Sequence, residues 1–453
     1  MSATISTTSD RLHTWRLTGI GPGVRSRDGL PPGPRTPMPW QMLRFWGNRQ
    51  SYLPQLHRRF GDTFTLRLEP IGNVVILGDF ADIRTVFRGD PATFHAGEGN
   101  SLLRPIVGAH SVLTLDVPEH KIERRRMMPP FHGERIAQVT DLMAQATERE
   151  IANWPTGRPF KLIERTQELT LDIIVRVVLG VDKPADAAEL GKALRAVLGV
   201  PMPALMMWVW PSLGRRWPWR RVVADLDRAD ALLYAEIAHR RADPNRSQRR
   251  DVLSMLLDGD PEPEVVRDEL VTLLVAGHET TSVALAWTFE RILRHPRVYQ
   301  RLRDGLDEPN DPYRTAVIKE ALRIRPVIYN VARRLTEPVE LAGHTLPAGL
   351  LVLPSIGAIH TDPRIWGPDA TEFRPERWLE PDPPQQAWIP FGGGNRRCLG
   401  ATFALTEMDT VLRTVLARVE LEPDQKRAER ATMHGITVVP ARGARVNVIR
   451  RLG

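Results

Sequence analysis

Phe391-Gly392-Gly393-Gly394-Asn395-Arg396-Arg397-Cys398-Leu399-Gly400 is the stretch that decides how this chain reads. Cys398 is the single cysteine in 453 residues. Beyond it Leu405, Met408, Leu412, Val415 and Val419 step at three and four, the spacing of a helix packed on a core. Cys398 therefore sits where a loop feeds a helix N-terminus. Free backbone N–H groups and the positive end of the helix dipole lower a thiol's pKa there. The resulting thiolate can be a nucleophile or a metal ligand. The glycines leave room for a flat ligand, and Arg396 and Arg397 offer charge to an anionic one. A lone cysteine is more often a small buried hydrophobe, so the neighbours must carry any functional reading.

Apolar residues make up 42% of the chain and charged residues 26%, the balance of a soluble globular protein. One cysteine excludes an intramolecular disulfide and any need for an oxidising compartment. Met1 to Arg16 is polar, and no run of about 18 apolar residues occurs, so a cytoplasmic protein is expected. The net charge is +8, nearly all of it from arginine. No zinc spacing, basic tail or aromatic–basic RNA motif accompanies that charge, so nucleic acid is not an expected partner.

Working outward, residues 1–29 lack periodicity and read as a flexible arm, ended by the proline elbow Leu30-Pro31-Pro32-Gly33-Pro34. Asp62–Leu68 alternates, turns at Ile71-Gly72-Asn73, and returns through a β-branched run to Leu77, which predicts a β-hairpin. Helices are predicted near 136–151, over 162–179 and over 399–418. The longest periodic segment, Glu262–Arg294, would span roughly 45 Å at 1.5 Å per residue. Val339–Leu353 returns to β character, and short strands close the chain. The predicted fold is mainly α with small β-sheets: a single large domain, 30–453, built on a long central helix.

That helix carries Ala276-Gly277-His278-Glu279-Thr280-Thr281 at its middle. Glycine and two threonines are poor choices for a helix interior, and a rule broken mid-element marks a candidate site. An acid beside a hydroxyl can relay protons. A zinc-protease reading of His278-Glu279 fails, because position 282 is Ser282. Glu320 and Arg323 share a helix face at i, i+3, as do His120 and Arg124 at i, i+4. Trp208, Trp210, Trp217 and Trp219 interleave with arginines over 205–221, either as core under a loop or as a lid touching apolar substrate or a membrane surface.

The pattern F-G-x-G-x-R-x-C-x-G, matched by Phe391, Gly392, Gly394, Arg396, Cys398 and Gly400, resembles the haem-binding loop of the cytochrome P-450 family. A-G-x-E-T at Ala276–Thr280, E-x-x-R at Glu320–Arg323, P-E-R at Pro375–Arg377 and H-x-x-x-R at His120–Arg124 follow the family's order. The resemblance covers about residue 30 onward and implies a soluble bacterial-type haem-thiolate monooxygenase. It implies haem b with Cys398 as the iron ligand, and O2 as cosubstrate with Thr280 and Glu279 handling protons. It places Phe391, Gly392, Gly394, Gly400, Ala276 and Gly277 against the cofactor. It further implies that His120, Arg124, Arg396 and Arg333 (rather than Arg334) meet the haem propionates, and that Glu320, Arg323 and Arg377 brace the cysteine loop. Because the sequence stops soon after the haem motif, no fused reductase is expected. Electrons would come from NAD(P)H through a ferredoxin or flavodoxin and its reductase, docked near Arg124–Arg126 and Arg397. An apolar small-molecule substrate, a monomer and peripheral membrane contact through 205–221 complete the expectations. A hydrogen-peroxide-using peroxygenase and a non-catalytic haem-thiolate sensor are the competing functions.

Overall fold

The computed structural model describes residues 23–131, 133–180, 216 and 219–452. Most of the Trp-rich segment 205–221 and the first part of the arm lie outside them. Residues 23–29, expected as part of the arm, lie along the first hairpin instead: Asn73 donates from its backbone to the Val24 carbonyl at 2.9 Å and from its side chain to the Ser26 carbonyl at 2.8 Å.

Helices dominate. In chain order the main ones are α1 (Met38–Phe60), α2 (Phe80–Arg88), α3 (Glu119–Met127), α4 (Glu134–Ala152), α5 (Leu162–Leu179), α6 (Trp219–Ala242), α7 (Pro263–Ile292), α8 (Pro312–Ile324) and α9 (Ala401–Arg418). The predicted hairpin forms from β1 (Thr63–Leu68) and β2 (Gly72–Leu77), antiparallel, with Thr63 opposite Leu77. β2 continues into a five-stranded sheet through β5 (Leu351–Pro354), β4 (Arg333–Leu335) and β3 (Phe94–His95). A second hairpin, β6 (Ala431–His434) with β7 (Thr437–Pro440), pairs His434 with Thr437.

The core gathers around α7. Its 30 residues start at Pro263, where proline's missing N–H costs nothing. Val266, Leu270, Leu274, Val283, Trp287 and Phe289 are fully enclosed. By length and composition α7 could cross a membrane, but 72% of its most apolar window is buried inside the protein, the position of a core helix. Gly277 lets α7 lie close to α5: a Cβ there would fall 2.8 Å from the Ile174 side chain. His278, given no role by the sequence, is buried against the same helix, where the Thr170 hydroxyl lies 3.1 Å from its Nδ1.

Candidate active site

Loop 391–400 is closed by its own backbone. The Cys398 N–H donates to the Phe391 carbonyl at 2.9 Å, Arg397 to Gly394 at 3.1 Å, and Gly392 to Ile389 at 3.0 Å. Gly392 and Gly394 adopt φ of +69° and +64°, which a side chain would strain. Gly394 also has no room for a Cβ, which would sit 1.8 Å from the Phe87 carbonyl oxygen of α2. Two glycines expected to clear space for a flat ligand thus answer to backbone demands, and Gly277 to helix packing. Gly400 has open space around it.

Cys398 lies three residues before the first residue of α9 and is exposed as a residue, with protein packed around its thiol. Its pKa runs opposite to the expectation. The surrounding protein desolvates the thiol and pushes its pKa up, while the Gly400 N–H, Arg124 and Arg397 pull it back. Charge and dipole are present as expected, but desolvation outweighs them. A metal that displaces the proton supplies the missing stabilisation, since a coordinating thiol is deprotonated.

The brace behind this loop is complete. Glu320 and Arg323 are fully buried and paired at 2.8 Å. Arg377 joins Glu320 at 3.0 Å, and Trp378 Nε1 donates to its other oxygen at 3.0 Å. Arg323 also donates to the carbonyls of His360 and Ala370, both at 2.6 Å. His360 Nε2 then accepts the Ile389 backbone N–H at 3.0 Å, two residues ahead of Phe391. Burial and Arg323 depress the His360 pKa to about 3, which keeps this acceptor neutral. Alongside runs an aromatic file, Trp366, Trp378, Trp388 and Phe391, with ring centroids 5.5 to 5.9 Å apart. Sequence reading missed His360, because nothing around it forms a motif.

A cationic cluster stands beside the loop. Burial, then Arg396, Arg124 and Arg333, push His120 down to about 4. Arg333 is buried and lowered to about 10 by desolvation and then Arg396. It donates to the neighbouring Ala332 carbonyl at 2.7 Å. Among the described residues, neither Arg333 nor His120 has an ion-pair partner. Arg396 donates to the carbonyls of Val112 and Leu115 and pairs with Asp116 at 2.8 Å. Arg333 and Arg396 repel one another and only Arg396 has a carboxylate partner, so Arg333 favours an added anion. The carboxylates of haem supply that chemistry, so the residues present fit the group. Arg334, on the other face of β4, faces Glu98 at 3.3 Å and donates to the Gly349 carbonyl, so of the two strand arginines Arg333 is the one without a carboxylate partner among the described residues. Arg124 donates to the Arg397 carbonyl at 2.7 Å, so here it ties α3 to the cysteine loop.

On α7 the buried pattern is interrupted where the motif predicts. Ala276 is exposed, and Val275, Gly277, Glu279 and Thr280 are partly so, within a helix otherwise packed in the core. The Thr280 hydroxyl donates to the Ala276 carbonyl at 2.6 Å. Val275, Phe391 and Leu399 pack partly buried on the same core. The Glu279 carboxylate is held by the β6–β7 hairpin: Oε1 accepts from Thr437 at 2.9 Å and lies 2.9 Å from His434 Nδ1.

A cysteine loop braced by a buried Glu-Arg-Arg triad, with buried arginines beside it and an interrupted central helix, makes a site that fits haem. The cytochrome P450 family model matches residues 31–448, and the chain belongs to that family and is a P450 monooxygenase. It is 43% identical to cytochrome P450 135B1 of Mycobacterium tuberculosis over 93% of this chain and 91% of the relative. It is 39% identical to cytochrome P450 135A1 of the same organism, over 94% and 97%. Among solved structures, retinoic acid-bound cyanobacterial CYP120A1 superposes with TM-score 0.80 at 24% identity, covering 93% of this chain and 99% of that one.

Proposed function

We propose that this chain inserts one oxygen atom of O2 into a C–H bond or alkene of a bulky apolar molecule. For hydroxylation the balance is RH + O2 + 2 electrons + 2 protons giving ROH + H2O. The electrons would come from NAD(P)H through a separate ferredoxin or flavodoxin and its reductase. The observation that carries the reading is the Thr280 hydroxyl on the partly exposed mid-helix stretch of α7, in a chain whose loop 391–400 presents Cys398.

Cys398 would hold haem iron, and haem would supply the redox chemistry that activates O2. His120, Arg333 and Arg396 hold its carboxylates, and Phe391 flanks the loop. Thr280 holds a hydroxyl where protons are taken up, and Glu279 feeds it. The lining would come from 92–113, 268–280, 326–332 and 431–437, which mix apolar residues with His95, Arg104, Tyr329 and His434; the segment 198–213 lies outside the described residues. Exposed Lys121, Arg125 and Arg397 form the docking face for an acidic carrier, whereas Arg126 is committed to Glu123 at 3.2 Å. A cytoplasmic monomer suits this reading. Electron transfer to the holoenzyme should slow as salt rises; a rate independent of ionic strength contradicts the docking face. Thr280→Ala should consume NAD(P)H while releasing hydrogen peroxide in place of product, and tight coupling in that variant contradicts the proton role.

A further inference from the structure

Glu279 belongs to α7, yet its carboxylate is held by the tip of the β6–β7 hairpin. His434 and Thr437, the closing pair of that hairpin, both reach Oε1 at 2.9 Å. The hairpin is fixed in place. Trp287 Nε1 of α7 donates to the Val438 carbonyl at 2.8 Å, Val438 N–H donates to the Val327 carbonyl at 2.9 Å, and Thr437 bridges to Ile328. The backbone that carries the contact is therefore fixed by the fold on both sides. Its two ends differ in access: the His434 side chain is 47% exposed and that of Glu279 only 16%. A proton crossing this contact from water enters at the histidine.

We propose that His434 is the proton donor that recharges Glu279, so that the hairpin tip is the inlet by which protons from solvent reach the oxygen-activating cleft. This rests on reading Glu279 with Thr280 as the acid–alcohol pair. In the step, the Nδ1–H bond of the imidazolium breaks and an O–H bond forms on Glu279 Oε1. The imidazole then takes a proton from water, and no oxidant or reductant is involved. Glu279 lies one residue from Thr280, on the stretch of α7 that opens to the cleft, so the acid formed there is placed to pass its proton on. The charge environment suits the task. From α7 Glu279 faces the ring, from β7 the uncharged Thr437, and on the α1 side Gln50 reaches β6 at the Ala431 carbonyl. The hydrogen bond and charge of Glu279 hold the His434 pKa above its ordinary value, partly offset by desolvation. That raises the protonated fraction near neutral pH.

The test uses the holoenzyme with a surrogate ferredoxin and reductase, NADPH, and O2 as sole acceptor, without organic substrate. O2 then leaves either as H2O2, with two protons, or as two waters, with four. His434→Gln keeps a side chain able to bond Glu279 but cannot carry a proton. Its peroxide yield per NADPH should rise about two-fold or more, with a larger solvent deuterium isotope effect on NADPH oxidation. Independently of turnover, NMR titration of the His434 ring should show its midpoint falling in Glu279→Gln. Unchanged peroxide yield and isotope effect in His434→Gln, or an unmoved midpoint, would overturn the proposal. Thr280→Ala and Glu279→Gln separate the two levels. If both raise peroxide while His434→Gln does not, the inlet alone fails. If neither does, the acid–alcohol reading fails and the inlet with it.

Discussion

His360 Nε2 accepts the Ile389 backbone N–H at 3.0 Å, and through that bond the buried Glu320–Arg323 pair reaches the cysteine loop. The imidazole joins two segments with no other shared motif: its own carbonyl takes Arg323, and its ring takes the residue two before Phe391. His360→Ala leaves the Ile389 N–H buried without an acceptor, a cost of about 1–3 kcal/mol. The expected outcome is a lower Tm and faster haem loss, both restored in part by His360→Gln, whose amide oxygen can accept. Equal haem retention in His360→Ala would show that the brace does not reach the loop.

Removing the charge at Glu320 should be more severe. Glu320→Gln leaves Arg323 and Arg377 buried without their carboxylate, a loss of about 3–5 kcal/mol. Urea denaturation of the holoenzyme should show the midpoint falling accordingly. A shift within about 0.5 kcal/mol would mean that the pair behaves like a surface ion pair.

The neighbouring arginines of β4 have opposite assignments. Arg333, buried without an ion-pair partner beside His120 and Arg396, should matter for haem; Arg334, committed to Glu98 and the Gly349 carbonyl, should not. Transfer of haem to an acceptor protein should speed up about ten-fold or more in Arg333→Ala, the loss of one hydrogen bond to a charged group. Arg334→Ala should stay close to wild type. The reverse order would move the propionate site to Arg334.

The chain also contains a buried carboxyl outside the active site. Glu407 on α9 is enclosed, both oxygens lack a hydrogen-bond partner, and burial pushes its pKa well above 4.5. The folded state therefore keeps this proton where the unfolded chain releases it. That contribution is present below about pH 4.5 and is lost as pH rises toward the folded pKa, by at most about 1.4 kcal/mol per pH unit. Glu407→Gln should flatten the decline of Tm above pH 4.5 and raise Tm at neutral pH. Parallel profiles for the two proteins would show that the carboxyl is not held neutral.

What could be read from the sequence was what lies close together in it. The hairpin at 63–77, the helix at 162–179 and the long central helix came from periodicity, and loop 391–400 from a run of adjacent residues. The choice of Arg333 over Arg334 came from the family resemblance, and β4 separates the two because consecutive strand residues take opposite faces. The contacts of His360 and His434 were invisible for the converse reason: their partners lie 29 and 155 positions away, and only folding brings them together. The pKa of Cys398 was misjudged because dipole and arginine charge are visible in sequence, whereas desolvation depends on the packing around the loop.

The central claim is that Cys398 carries haem iron as its thiolate ligand. The direct measurement is the absorption spectrum of the reduced, carbon monoxide-treated holoprotein beside that of Cys398→Ala, each purified after expression with haem available. The account predicts the red-shifted Soret band of thiolate ligation in the wild type and its loss in the variant. Retention of that band in Cys398→Ala, or a wild-type chain that takes up no haem, would contradict it.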